Sequence, residues 1–287
     1  AKKGLINVKK DVYDQFVFSF PSNLPVEEGV SYEYYFEIFD NDAIHNFKST
    51  KSSVFSNRIA TETEKQDEML QQQNDNINSL AKSLKAQDKQ LSEMEKLQKM
   101  GKEKDNLDYK EQQKVNDFIQ RQKQQDEMMK EFSEKMKENL EQFKSEKKDE
   151  KKELLQDRLE KTKEELEKNK KLLDELQKLN DKISKEELFE KMQKFQQASK
   201  NQTKSLEQLV ELTKRYYVEK KAEQIANKLD KLADKQDKLA DKSEENSAQK
   251  QDDINKEFDK IQEELNDLEK DNKELKSPMD IPNSEEQ

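Results

Sequence analysis

Between Val30 and Ser277 the chain contains one residue of the two types that interrupt regular structure, Gly101. Gly and Pro punctuate turns and end elements, and the four prolines, Pro21, Pro25, Pro278 and Pro282, all lie near the ends. A stretch so free of breakers forms either long helices or no regular structure. Charged residues make up 42% of the chain and hydrophobic ones only 30%, against about 25% and about 45–50% in an average soluble domain. That leaves too little apolar surface for the core of an ordinary globular enzyme.

The net charge of −10 is the small difference between 55 basic and 65 acidic residues, mixed along the chain. Mixed charge of this kind decorates helix faces with i,i+4 pairs. It lacks the basic stripe of a nucleic-acid footprint, so no nucleic-acid partner is expected. The absence of cysteine excludes disulfides and thiolate chemistry within this chain. No apolar run approaches the roughly 20 residues of a spanning helix, and no signal-peptide pattern opens the chain, so no direct membrane insertion is expected. The first residue, Ala1, is not Met, which reads as a processed product or a piece of a longer protein.

The physics changes near Ala60. Residues 1–60 hold 7 of the 13 Phe and 4 of the 7 Tyr. In Ser31–Phe39, Tyr32, Tyr34, Phe36 and Ile38 alternate with polar neighbours and Tyr35, which places an aromatic face on a strand. Val12–Phe20 repeats the pattern through Phe16, Phe18 and Phe20, and a weaker third strand is predicted around Ser49–Asn57. About three antiparallel strands make an incomplete sheet, because a free-standing immunoglobulin-like sandwich needs about seven.

From Thr61 onward the period is heptad. Ile77, Leu80, Leu84, Leu91 and Met94 form an a/d seam with Gln87 as its one polar member, and this first helix, 61–101, should end near Gly101. A second long helix, 102–183, is expected. Its seam is sparse through Phe118, Met129, Phe132, Met136, Leu140 and Phe143, nearly vanishes over Lys144–Glu153, and resumes at Leu155, Leu159, Thr162, Leu166, Asn169, Leu173, Leu176, Asn180 and Ile183. As one helix from Asp105 to Leu179 it would reach roughly 110 Å. Ser184-Lys185-Glu186-Glu187 has capping-box spacing, which would fold 172–179 and 188–195 into an antiparallel hairpin; an uninterrupted rod is the alternative. A third helix, 184–276, interrupted at 241–253, carries the densest apolar pattern and a last seam from Ile254 to Leu275 in which Asn272 would set register. Residues 277–287, with two Pro, should be a disordered tail.

The fold class expected is therefore mainly α, long coiled-coil helices or a helical hairpin behind a small antiparallel β segment. Candidate sites are few. Leu206, Leu209, Leu212, Tyr216, Tyr217, Leu229, Leu232 and Leu239 form a seam for protein partners or self-association, with Ala226, Ala233 and Ala240 allowing close helix approach. Tyr216 and Tyr217 read as a docking point or, in preference, as packed aromatics. Asp40, Asn41 and Asp42 offer calcium three oxygen ligands, but Asx residues at strand ends ordinarily bond their own backbone. The single His45 reads as a loop residue and leaves no basis for His-dependent catalysis. Gly101-Lys102 lacks the upstream Gly and following Ser or Thr of a P-loop. No metal, cofactor, small-molecule substrate or catalytic residue is expected.

Two segments carry a resemblance. Tyr32–Asp42 with Lys48–Ser52, and Leu206–Arg215 leading into Lys228–Gln236, resemble a family of uncharacterised Bacteroidota envelope proteins. Its members join transmembrane helices, immunoglobulin-like β-domains and a long Lys/Glu-rich coiled coil, and are sometimes labelled ATPases. The resemblance implies a C-terminal portion of a membrane-anchored parent, located on the periplasmic side. It supplies no catalytic residues. The function expected is non-enzymatic scaffolding by reach and partner-helix capture, and the alternative is a periplasmic holdase-like chaperone whose arms expose apolar surface along Phe118–Phe143.

Overall fold

A computed structural model describes residues 3–7, 9, 13–102, 108–142, 149–181, 185–241 and 247–281. The chain is mainly α, with a small antiparallel β segment ahead of the helices. It divides into two compact units, residues 1–68 and 69–287.

In the first unit, β1 (Ser31–Tyr34) pairs antiparallel with β4 (Phe55–Arg58), and β2 (Glu37–Phe39) with β3 (Ser49–Lys51). The expected single third strand is thus two short ones. Tyr34 opposes Phe55 while Glu37 opposes Lys51, so the returning strand carries one extra residue between the ladders. That is a β-bulge. The join is closed by Ser52, whose N–H donates to Phe36 O and whose Oγ accepts from Phe36 N, both at 2.9 Å. Residues 13–19, expected as a strand, have no regular structure. Their aromatics still cover the hairpin: Phe16 and Phe18 stand edge-on to Phe36 at 5.2 and 5.3 Å, and Phe20 stacks on Tyr34 at 5.4 Å. Ring contacts therefore do the work that a backbone ladder was expected to do. Ile38, expected on the same covered face, is 66% exposed. Gly29, at φ +80°, closes the base, where a Cβ would lie 2.8 Å from Thr61 Cγ2.

Among the described residues five helices follow: α1 (Glu62–Lys102), α2 (Tyr109–Gln142), α3 (Glu150–Asp181), α4 (Lys185–Asp241) and α5 (Ala248–Lys273). Their starts are locally encoded. Thr61 and Glu64 form a reciprocal capping box, with Thr61 N donating to Glu64 Oε2 at 2.8 Å and Glu64 N to Thr61 Oγ1 at 3.3 Å. Asp108 and Glu111 repeat it at 3.0 and 2.8 Å. Asp149 accepts from Lys152 N at 3.1 Å and Ser247 from Lys250 N at 3.3 Å.

Successive helices of the second unit run antiparallel. Arg121 pairs with Glu93 at 2.8 Å and Asn139 Nδ2 donates to Met69 O at 3.2 Å, fixing α2 against α1. Lys123–Asp174 at 2.7 Å and Lys137–Glu160 at 3.7 Å fix α3 against α2. Lys151–Glu219 at 2.7 Å and the Lys191–Glu175 pair fix α4 against α3. Glu95 of α1 takes Lys200 at 2.9 Å and Gln196 at 2.7 Å from α4, which closes a four-helix bundle. At 57 residues, or about 85 Å, α4 outruns this bundle and pairs its second half with α5 through Lys221 and Lys228 on Glu264, at 2.7 and 2.8 Å.

Two sequence expectations are corrected here. The helix expected over 102–183, and its roughly 110 Å reach, are replaced by α2 and α3 folded back on each other. Folding α2 and α3 on each other buries the seams of both, Met129, Met136 and Leu140 with Leu155, Leu159 and Leu166. The interruption expected at 241–253 falls between α4 and α5. The tail expected to be disordered packs back as far as it is described: Met279 and Ile281 lie against the core, while residues 282–287 lie outside the described residues. The expected hairpin does form, with α3 and α4 antiparallel; the Ser184 cap itself lies outside the described residues.

Candidate functional site: the helix seams and a buried polar layer

The predicted partner seam is turned inward. Leu206, Leu209, Tyr216, Tyr217 and Leu232 are buried in one apolar cluster with Leu70, Met136, Leu155 and Leu265, and Leu212 and Leu229 are partly buried against it. Leu239 is also buried. Ala226, Ala233 and Ala240, expected at a close helix approach, are exposed; the Leu and Ile positions face α5 and the alanines turn to solvent.

Tyr216 shows why the packed reading holds for the tyrosine pair. Its ring is buried on α4, with Lys220 Nζ 5.4 Å from its centroid. The same ammonium sits 3.2 Å from Asp149, the cap of α3. Burial, then the Asp149 charge, pushes the Tyr216 phenol well above its ordinary range, and burial with the Asp271 charge does the same for Tyr217. Both are neutral aromatics holding helices together.

The Asp40–Asp42 loop likewise makes its own turn. Asp40 Oδ1 accepts from Asp42 N at 3.2 Å, Asp40 N donates to Lys48 O at 2.9 Å, and Phe47 N donates to Asp42 O at 3.0 Å. These are the backbone-directed bonds of an Asx turn. Among the described residues no group of three His, Cys, Asp or Glu is arranged to hold a metal ion. Ala43–His45 forms one 3₁₀ turn at the hairpin tip.

The feature that sequence reasoning only half reached lies inside the bundle. Apolar burial falls into two clusters. One contains Leu84, Met129, Leu166 and Leu206, and the other contains Met94, Phe118, Ile119, Leu173, Leu176, Met192 and Phe195 at the hairpin tip. Between them each of the four helices buries polar side chains: Gln87 on α1, Gln122 and Asp126 on α2, Asn169 on α3, Ser199 and Gln202 on α4. Gln202 Oε1 is the shared acceptor, taking Gln87 Nε2 at 3.3 Å and the Asn169 amide. Gln122 Nε2 donates to Asp126 Oδ1 at 3.1 Å. Gln87 Oε1, Gln122 Oε1, Asp126 Oδ2, Ser199 Oγ and Gln202 Nε2 find no partner among the described residues, an unusual concentration of unsatisfied atoms for a native core. Gln87 and Asn169 were visible as polar members of their seams; the other four were hidden among Gln-, Ser- and Lys-rich stretches that read as surface.

Outside, the surface is shallow. A groove of about 500 Å³ runs between α3 and α4 over Leu154 and Leu212, flanked by Arg158, Lys161, Arg215 and Lys276. Among the described residues no helix is long and apolar enough to cross a membrane. Comparison with family models, curated proteins and solved structures returns no match.

Proposed function

We propose that this chain is a non-enzymatic scaffolding segment that acts by holding a long, ordered helix, α4, against shorter antiparallel partners. The observation carrying this reading is where the apolar seams go. The described helices bury most of their seam against one another and present paired charges outward, such as Lys151–Glu219 and Lys235–Glu257. Partner recognition would then run over outer faces and not along the seam, a change from coiled-coil capture. Placement at the periplasmic side of a bacterial envelope, as part of an anchored parent, rests on the sequence resemblance alone.

The holdase reading needs accessible apolar surface along Phe118–Phe143. Phe118, Met129, Phe132, Met136 and Leu140 are buried inside the bundle, and Phe143 lies outside the described residues. An aggregation assay separates the two readings. The scaffold reading expects no suppression of aggregation of an unfolded model protein at equal molar ratio, and recovery of the tagged protein in the envelope fraction. Stoichiometric suppression, or recovery in the cytosol, overturns it.

A further inference from the structure

The polar layer interrupts all four helices at one level. Along the chain, Gln87 falls between Leu84 and Met94, Gln122 and Asp126 between Ile119 and Met129, Asn169 between Leu166 and Leu173, and Ser199 with Gln202 between Phe195 and Leu206. Cross-helix bonds confirm the level: Gln125 Nε2 donates to Ser83 O at 2.6 Å, one turn from Gln122 and Gln87, and Gln202 joins α4 to α1 and α3. The tip cluster is thus a separate apolar body joined to the rest of the bundle through amides and one carboxyl group.

That carboxyl is out of place. Asp126 is 8% exposed, its Oδ1 has only Gln122, and its Oδ2 has no partner. The groups lining the level from the other helices are Ser83 and Gln87 on α1, Asn169 on α3, and Ser199 and Gln202 on α4, none of which titrates. Lys130, one turn along α2 from Asp126, is half-buried, and among the described residues no ion pair joins the two; the other charges near this level point elsewhere. Lys85 and Asp88 on α1, Glu127 on α2, and Lys170 on α3 are exposed; Lys123 is held by Asp174 of α3 at 2.7 Å and Lys200 by Glu95 at 2.9 Å. An ionised Asp126 would be a buried charge without a counter-ion, whereas a neutral one brings a hydroxyl donor to a layer in which Gln87 Oε1 and Gln122 Oε1 lack one.

We propose that the layer is a proton-sensitive joint: with Asp126 neutral the bundle closes along its whole length, and with Asp126 ionised the tip cluster opens as a unit while the remainder stays folded. Burial, partly opposed by the Gln122 bond, raises the carboxyl from 3.8 to about 7. The folded value lies above the unfolded one, so stability from the closed tip is complete below about pH 4 and lost as pH rises to about 7. Over that window the opening equilibrium shifts about tenfold per pH unit, up to about a thousandfold.

Native-state hydrogen exchange on the full chain at pH 5.5 and pH 8, corrected for intrinsic rates, tests this. Protection of amides in 115–119, 173–179 and 188–195 should fall at the higher pH relative to those in 216–225 and 261–268. Asp126→Asn should keep the tip protected at both pH values. Equal pH dependence in the two regions, or a dependence surviving in Asp126→Asn, overturns the proposal. If the variant does not fold, the wild-type Asp126 carboxyl followed by carbon NMR decides: a midpoint near 7 is expected, and one near 4 overturns it.

Discussion

Asn272 and Met279 bond each other twice: the Asn272 side-chain amide donates to Met279 O at 2.8 Å and accepts from Met279 N at 2.8 Å. Seven residues apart, they clasp the segment after α5 back on the helix end, so that Met279 and Ile281 reach the core. The residue expected to set helix register therefore acts as a substitute strand edge for its own tail. Replacing Asn272 by Ala should cost about 1–3 kcal/mol, because two backbone groups lose their partner. Denaturant unfolding would measure it, together with faster proteolysis at Ser277–Asp280.

Gln202 is the acceptor on which α1 and α3 both depend. Gln202→Ala should destabilise the bundle by about 1–3 kcal/mol, since Gln87 and Asn169 would be left as buried donors without an acceptor. A double-mutant cycle with Asn169→Ala would show a coupling of about 0.5 kcal/mol or more; strict additivity would show that the two amides do not interact.

Phe195 packs edge-on to Phe118 at 5.9 Å in the hairpin tip. Phe195→Ala should cost about 3–5 kcal/mol, the usual range for a buried Phe. Thermal melts followed by circular dichroism would record the loss as a lower, broader transition. An unchanged melting temperature would mean that the tip is not packed as described.

Glu64 is half-buried, and the Arg58 guanidinium, with the Thr61 amide, holds its carboxyl at about 2. A lowered folded value means that the capping box and its ion pair are intact above about pH 4.5 and are lost as pH falls through about 2. NMR titration of the Glu64 carboxyl should give that low midpoint, and Arg58→Ala should raise it toward the ordinary glutamate range.

The helices were legible because the seam needs only composition and spacing. Leu155, Leu159, Thr162, Leu166, Asn169, Leu173, Leu176 and Asn180 alternate by four and three, and all are buried. A seam says which face is covered, but not by what. The same spacing suits a rod, a dimer or a chain folded on itself, so the reversal between α2 and α3, made without Gly or Pro, left no local signal beyond the fading of the seam. The caps were legible in principle: Thr61 with Glu64 and Asp108 with Glu111 carry the same signature as Ser184 with Glu187. The polar layer was the hardest to see, because Gln122, Asp126 and Gln202 have the composition of surface and become interior only once four helices are brought to one level. In the first unit the alternation of Tyr32, Tyr34 and Phe36 marked the covered face, whereas Phe16, Phe18 and Phe20 reach it from a segment that adds no strand.

The extra residue between β3 and β4 also has a consequence for crowding. A two-stranded ribbon leaves both its edges unpaired, and this one exposes Ile38, Phe39 and Phe55 as well, a combination that would let flat ribbons of neighbouring molecules zip together. A bulge such as that at Ser52–Val54 adds local twist to its edge, which opposes flush pairing between copies of the chain. Deleting Ser53 would straighten that edge, and the first symptom would be turbidity at high concentration.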